Sequence, residues 1–113
     1  MVGAITPWNY PVGIPMAEIV PAIGAGNTLV FKPASATVQT GLMVADMARR
    51  AGLPDGVLNA VALPGAATDA LLDHPDVVKV LFTGSVDIGR HVARRCAERI
   101  IPAQLELGGK DAA

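Results

Sequence analysis

A single cysteine, Cys96, stands in the 113 residues, so no internal disulfide is possible and a reducing, cytoplasmic setting is expected. Charge is sparse too. Charged residues make up 17 %, the formal net charge is −1, and no basic stripe runs along the chain. Neither nucleic acid nor an anionic membrane surface is therefore an expected partner. Pro, Gly or a charge interrupts every apolar stretch well before the ~18 residues that a membrane-spanning helix needs. The opening Met1-Val2-Gly3-Ala4 has neither the basic nor the apolar region of a secretory leader. His74 and His91 lack metal-ligand spacing, and no metal site is expected.

What is present is apolar. Hydrophobic residues reach 51 %, which excludes disorder, and the length suits one small domain. Four β-rich runs alternate with four helical patterns. The strands are expected over residues 28–32, 57–62, 78–83 and 103–107, each bounded by Gly or Pro signals. The helices are expected over 13–23, 37–51, 67–73 and 85–99. Pro21 predicts a kink or early end in the first. In the second, Thr37 is positioned as N-cap, Leu42, Met43, Ala45, Met47 and Ala48 as the apolar face, and Gly52 as the stop. In the fourth, Ile88, Val92, Cys96 and Ile100 are spaced at i, i+4. Strand–helix alternation with short connections predicts an α/β fold: a parallel sheet with helices on both faces, its ligands at the carboxyl ends of the strands. The chain opens and stops on dense motifs, and it reads as a partial domain, residues 1–113, of a larger two-domain fold.

Several strand ends carry polar or glycine motifs. Gly84-Ser85 stands between a strand and a helix, where backbone N–H groups and the helix dipole favour a phosphate; the plain alternative is a helix cap with a glycine hinge. The dinucleotide fingerprint G-x-G-x-x-G is missing. Lys32 closes a strand in Phe31-Lys32-Pro33-Ala34-Ser35, within reach of a ribose hydroxyl or phosphate, or as an ordinary solvated lysine. Asn9 is held between Pro7 and Pro11, a rigid presenter for an amide that can donate to an oxyanion, or a turn asparagine. Glu106 lies at a strand end in apolar company, which disfavours its charged form and suits a base; the alternative is a surface glutamate on an edge strand. Cys96 falls on the apolar stripe of the last helix and reads as structural. Arg94, Arg95 and Arg99 read as a solvated helix face.

Taken in order, Pro7-Trp8-Asn9-Tyr10-Pro11, Lys32-Pro33-Ala34-Ser35, the run from Gly52 to Asn59, Phe82-Thr83-Gly84-Ser85 and Leu105-Glu106-Leu107-Gly108-Gly109-Lys110 resemble the aldehyde dehydrogenase superfamily over essentially the whole chain. The resemblance implies a partial Rossmann-like cofactor domain, without the catalytic and oligomerisation domains, from a homo-oligomeric enzyme that oxidises a small aldehyde with NAD or NADP. It makes Asn9 the oxyanion-hole amide and Glu106 the base that activates water for thioester hydrolysis. It gives Lys32 to the adenosine ribose and Gly84 and Ser85 to the pyrophosphate side. Trp8, Ser35, Gly65 and Gly108 become further cofactor-side positions. The family's nucleophilic cysteine lies beyond the glutamate motif, so Cys96 does not match it. Many members carry a carboxylate where this chain has Ser35; a neutral serine admits a 2′-phosphate, so NADP is expected to be at least tolerated. Two alternatives remain: the coenzyme A-acylating branch of the superfamily, whose members tend to lack the base glutamate, and a nucleotide-binding module without catalysis.

Overall fold

The computed structural model describes residues 1–109. Lys110 of the last motif lies outside the described residues. Five strands alternate with four helices: β1 (Val2–Ile5), α1 (Gly13–Gly24), β2 (Leu29–Lys32), α2 (Val38–Arg50), β3 (Leu58–Ala60), α3 (Asp69–Leu72), β4 (Lys79–Gly84), α4 (Val86–Glu98) and β5 (Ala103–Leu107). All four strand pairings are parallel, in the order β3-β2-β1-β4-β5. The doubly covered parallel sheet expected from the alternation is present.

Its central strand was not expected. β1 is only four residues long and contains Gly3 and Ala4, poor strand formers, so no local signal marks it. Burial on both faces removes any alternation, and the whole strand is buried. Its neighbours define it instead: Ile5 is in register with Lys32 on one side and with Phe82 on the other. The chain builds outward from β1 to β2 and β3, then crosses back to β4 and β5. The switch point therefore falls between β1 and β4, where an open α/β sheet leaves a crevice.

Each face has its own core. Leu29, Phe31, Ala4 and Leu81 meet Ile19 of α1 and Val44 of α2 on one side. Ile5, Val80 and Phe82 meet Leu71 and Leu72 of α3 and Val92 and Cys96 of α4 on the other. Two predicted helix faces need correction. In α2 the buried positions are Gly41 and Val44, while Met43 and Met47 are 63 % and 64 % exposed. The helix packs its narrow side on the sheet, where small residues allow close approach. In α4 only Val92 and Cys96 of the expected stripe are buried; Ile88 is exposed and Ile100 lies past the helix end. α1 runs through Pro21 to Gly24 without the predicted early end.

Helix stops follow one pattern. After α2, Gly52 N–H donates to Arg49 O and Leu53 N–H to Ala48 O, with Gly52 at φ 97°, as its reading as a stop requires. After α4 the same pair of bonds runs from Ile100 to Ala97 and from Ile101 to Cys96, but the left-handed position is filled by Ile100 at φ 56°.

Candidate cofactor and catalytic site

Because every strand is parallel, all carboxyl ends lie along one edge of the sheet, and the motif residues follow directly from them. The Trp8-Asn9 bend leaves β1, Lys32 ends β2, Gly65 lies beyond β3, Gly84 ends β4 and Gly108 follows β5. Asn9 and Trp8 are exposed in the bend that enters α1. The Tyr10 ring lies so close over Gly13 that a Cβ there would collide with it, which ties the Asn9 bend to the start of the helix.

Lys32 is not the ordinary solvated lysine of the alternative reading. It is 5 % exposed, and its Nζ reaches only the Pro33 carbonyl, at 3.4 Å. Among the described residues no carboxylate pairs with it, and burial lowers its pKa. A buried ammonium without a counter-ion calls for an external acceptor. Two hydroxyls in the same part of the fold, Thr6 Oγ after β1 and Thr37 Oγ after β2, are likewise buried without partners. Thr37 holds the expected N-cap position of α2, yet its side chain makes no capping bond. Orphaned donors of this kind fit the ribose and phosphate oxygens of a dinucleotide. Ser35 is exposed in the short turn after Lys32. Gly41 lets α2 press on that turn, since a Cβ there would stand 2.5 Å from the Pro33 ring.

Ser85 caps α4: its Oγ accepts from Ile88 N–H at 3.5 Å, so its proton stays free to donate outward. The capping reading and the phosphate reading are thus compatible. Gly84 also has a packing reason, because a Cβ would lie 2.6 Å from the Phe82 ring. A Cβ at Gly65 or Gly108 would meet nothing within 4 Å, which leaves both backbones open to a ligand.

Glu106 departs from its expected surroundings. It is exposed on the edge strand β5, beside Thr83 in register. The carboxylate in apolar company is Glu18 of α1, the only charged residue in the first 31. Glu18 Oε1 accepts from the Thr83 hydroxyl at 2.7 Å, and Oε2 is buried without a partner among the described residues. Burial raises its pKa; the Thr83 bond opposes this and the charge of Glu106 adds to it. A lone acid in a long uncharged segment was the signal available in the sequence.

Cys96 is buried against the α4 face, and desolvation raises its thiol pKa despite Arg99 nearby. That suits the structural reading. The solvated-face reading of the arginines holds for Arg94 only. Arg95 pairs with Asp73 and Glu98, and Arg99 donates to the carbonyls of Leu72, Pro75 and Val77. Sequence spacing within one helix does not show that α3 lies alongside. His91 pairs with Asp69 at 2.7 Å, and no cluster of metal-ligand side chains occurs among the described residues.

The profile of the aldehyde dehydrogenase family matches residues 1–113. The chain belongs to this family. Geranial dehydrogenase from Castellaniella defragrans is 48 % identical over 113 residues, which is all of this aldehyde dehydrogenase chain and 24 % of that protein. Phenylacetaldehyde dehydrogenase from Pseudomonas fluorescens is 48 % identical over 111 residues, 97 % of this chain and 22 % of its own. The crystal structure of a NAD-dependent aldehyde dehydrogenase from Sinorhizobium meliloti superposes with TM-score 0.92 at 44 % identity, covering 96 % of this chain and 22 % of that one. A betaine aldehyde dehydrogenase from Staphylococcus aureus, solved in complex with NAD+, gives 0.92 at 36 % identity, covering 97 % and 22 %. The chain thus spans about a quarter of the length of its aldehyde dehydrogenase relatives. No helix among the described residues is long and apolar enough to cross a membrane.

Proposed function

We propose that this chain is the cofactor-binding segment of an NAD(P)-dependent aldehyde dehydrogenase that converts a small aldehyde to its acid through a cysteine thioester. The observation that carries this is the common edge. Asn9, Lys32, Gly84-Ser85 and Glu106 come from four strand ends or the bends after them, and among the described residues the buried Lys32 there has no carboxylate partner.

Lys32 would hold the ribose, the Gly84-Ser85 turn would receive the pyrophosphate at the α4 N-terminus, and Gly65 and Gly108 leave backbone room for close approach. When bound there, NAD or NADP would supply the hydride acceptor. The Asn9 amide donates to the aldehyde oxygen as the thiolate adds, stabilising the negative charge that develops there. Glu106 then takes a proton from water, whose oxygen bonds to the acyl carbon and releases the sulfur. The nucleophile is supplied from outside these residues, because Cys96 is buried in the α4 core. Glu106 favours hydrolysis over acyl transfer to coenzyme A. NADP is accepted at least as readily as NAD. The enzyme works in the cytoplasm as a homo-oligomer.

The test is Glu106→Gln in the full-length enzyme. The first burst of reduced cofactor should survive while steady turnover falls by roughly 10²- to 10⁴-fold. Unchanged steady turnover would refute the assignment of the base.

A further inference from the structure

Glu18 is placed where a mechanism needing only Glu106 has no use for it. It projects from α1 onto β4 and β5, on the sheet face that also carries Thr83 and Glu106. A cavity of about 310 Å³ is bounded by Glu18, Thr83, Gln104 and Glu106. A second, of about 220 Å³, shares Glu18, Ala17, Leu81 and Gln104 with the first and extends to Lys79 and Asn27. Glu18 therefore lines two adjoining chambers open to solvent, one bounded by Glu106 and the other leading toward the opposite end of β4. Either chamber has room for several waters at about 30 Å³ each.

We infer that Glu18 is a second proton-accepting carboxyl of this site, taking from Glu106 the proton that Glu106 removes from water. This rests on the reading of Glu106 as the hydrolytic base. The Thr83 hydroxyl fixes Oε1 and leaves Oε2, buried and without a partner among the described residues, as the open acceptor. The water O–H bond breaks, its oxygen joins the acyl carbon and its proton goes to Glu106. That proton then moves through the first chamber to Glu18 Oε2, which restores the Glu106 carboxylate. Glu18 releases it into the second chamber. The charged groups facing Glu18 are Glu106 on β5 and Lys79 on β4; β1 contributes only Val2. A carboxyl destabilised by burial and by a neighbouring negative charge binds a proton more readily than a solvated one, which suits a relay station.

The experiment compares Glu18→Gln, Glu18→Asp and Glu106→Gln in the full-length enzyme. Glutamine keeps an acceptor for Thr83 but cannot take a proton. In Glu18→Gln the burst of reduced cofactor and the KM for aldehyde should hold, while steady turnover falls about tenfold and its pH profile moves. Added imidazole or formate should restore turnover, and Glu18→Asp should recover most of it. Thr83→Val, which removes only the hydroxyl that orients Glu18, should show the same split and guards against misfolding of the first variant. Unchanged turnover and pH profile in Glu18→Gln, with Glu106→Gln inactive at steady state, would overturn the role of Glu18 alone. A loss that small acids and bases do not restore would also overturn it, marking structural damage. Full turnover in Glu106→Gln would instead remove the underlying reading.

Discussion

At the scale of single residues, environment separates groups that look alike in sequence. Lys32 and Lys79 both border strands, yet only Lys32 is buried. Three residues on, Ser35 stays exposed, so a charge placed there acts through partly solvated space. In the full-length enzyme Ser35→Glu would set a carboxylate against the 2′-phosphate of NADP, a penalty of order 1–4 kcal/mol that solvent holds near its lower end. The expected outcome is a shift of the NADP-to-NAD ratio of kcat/KM toward NAD by about tenfold, which corresponds to roughly 1.4 kcal/mol. A strong NAD preference in the unmodified enzyme, or an unmoved ratio, would refute the reading of this strand end. Arg99 makes a separate case. It satisfies three carbonyls between α3 and β4, so Arg99→Ala should cost about 2 kcal/mol in urea unfolding. Arg94→Ala, on the exposed face, should change stability by less than about 0.5 kcal/mol.

At the scale of elements, the long, punctuated segments were legible. α2 and α4 each lie within one residue of their expected bounds at both ends, because capping and stopping are local chemistry. Ser85 and Gly52 act within a few residues of themselves. Helix faces were less legible. Both helices bury a narrow strip centred on Gly41-Val44 and Gly89-Val92-Cys96, and the larger apolar side chains beside it stay outside. Which strip meets the sheet depends on how close the helix can come, and glycine decides that. The stop of α4 holds a prediction of its own. Ile100 is 93 % exposed and sits in the left-handed region, where a β-branched side chain costs roughly 1–2 kcal/mol. Ile100→Gly loses almost no packing and relieves that cost, less some gain in unfolded-chain freedom. It should stabilise the chain by about 1 kcal/mol, raising the melting temperature by roughly 4 °C or more. A lower melting temperature would show that Ile100 packs in a way its exposure does not reveal.

At the scale of the whole molecule, the parallel sheet gathers four of the five scattered sequence motifs along one edge, while the run from Gly52 to Asn59 enters β3 at the opposite one. The same topology isolates Cys96, which lies with α4 on the face away from Glu18 and Thr83. A thiol buried there, with its pKa raised, is neither ionised nor accessible to an aldehyde. The purified chain should therefore reduce no cofactor with any aldehyde, and Cys96→Ala should change nothing in that assay. Turnover that disappears in Cys96→Ala would contradict the placement of the nucleophile outside these residues. α1 and α2 also leave an apolar groove of about 900 Å³, walled by Met16, Val20, Met43 and Met47, on a chain that covers about a quarter of its relatives.

By itself the sequence determined the class of fold, the strands and helices with strong local punctuation, and the motif residues that mark the family. Those properties depend on contacts a few residues apart, on period and on turn chemistry. Only the tertiary structure decided that Val2–Ile5 is the central strand, since its identity comes from hydrogen bonds to β2 and β4 across tens of residues. Tertiary structure likewise decided that Lys32 is buried, the reverse of its plain reading as a solvated lysine, and that Glu106 is exposed on an edge strand, its plain alternative, because burial depends on which strand lies at the edge of the sheet. It also brought Glu18 to Thr83 across 65 residues of chain, a pairing that no local pattern encodes.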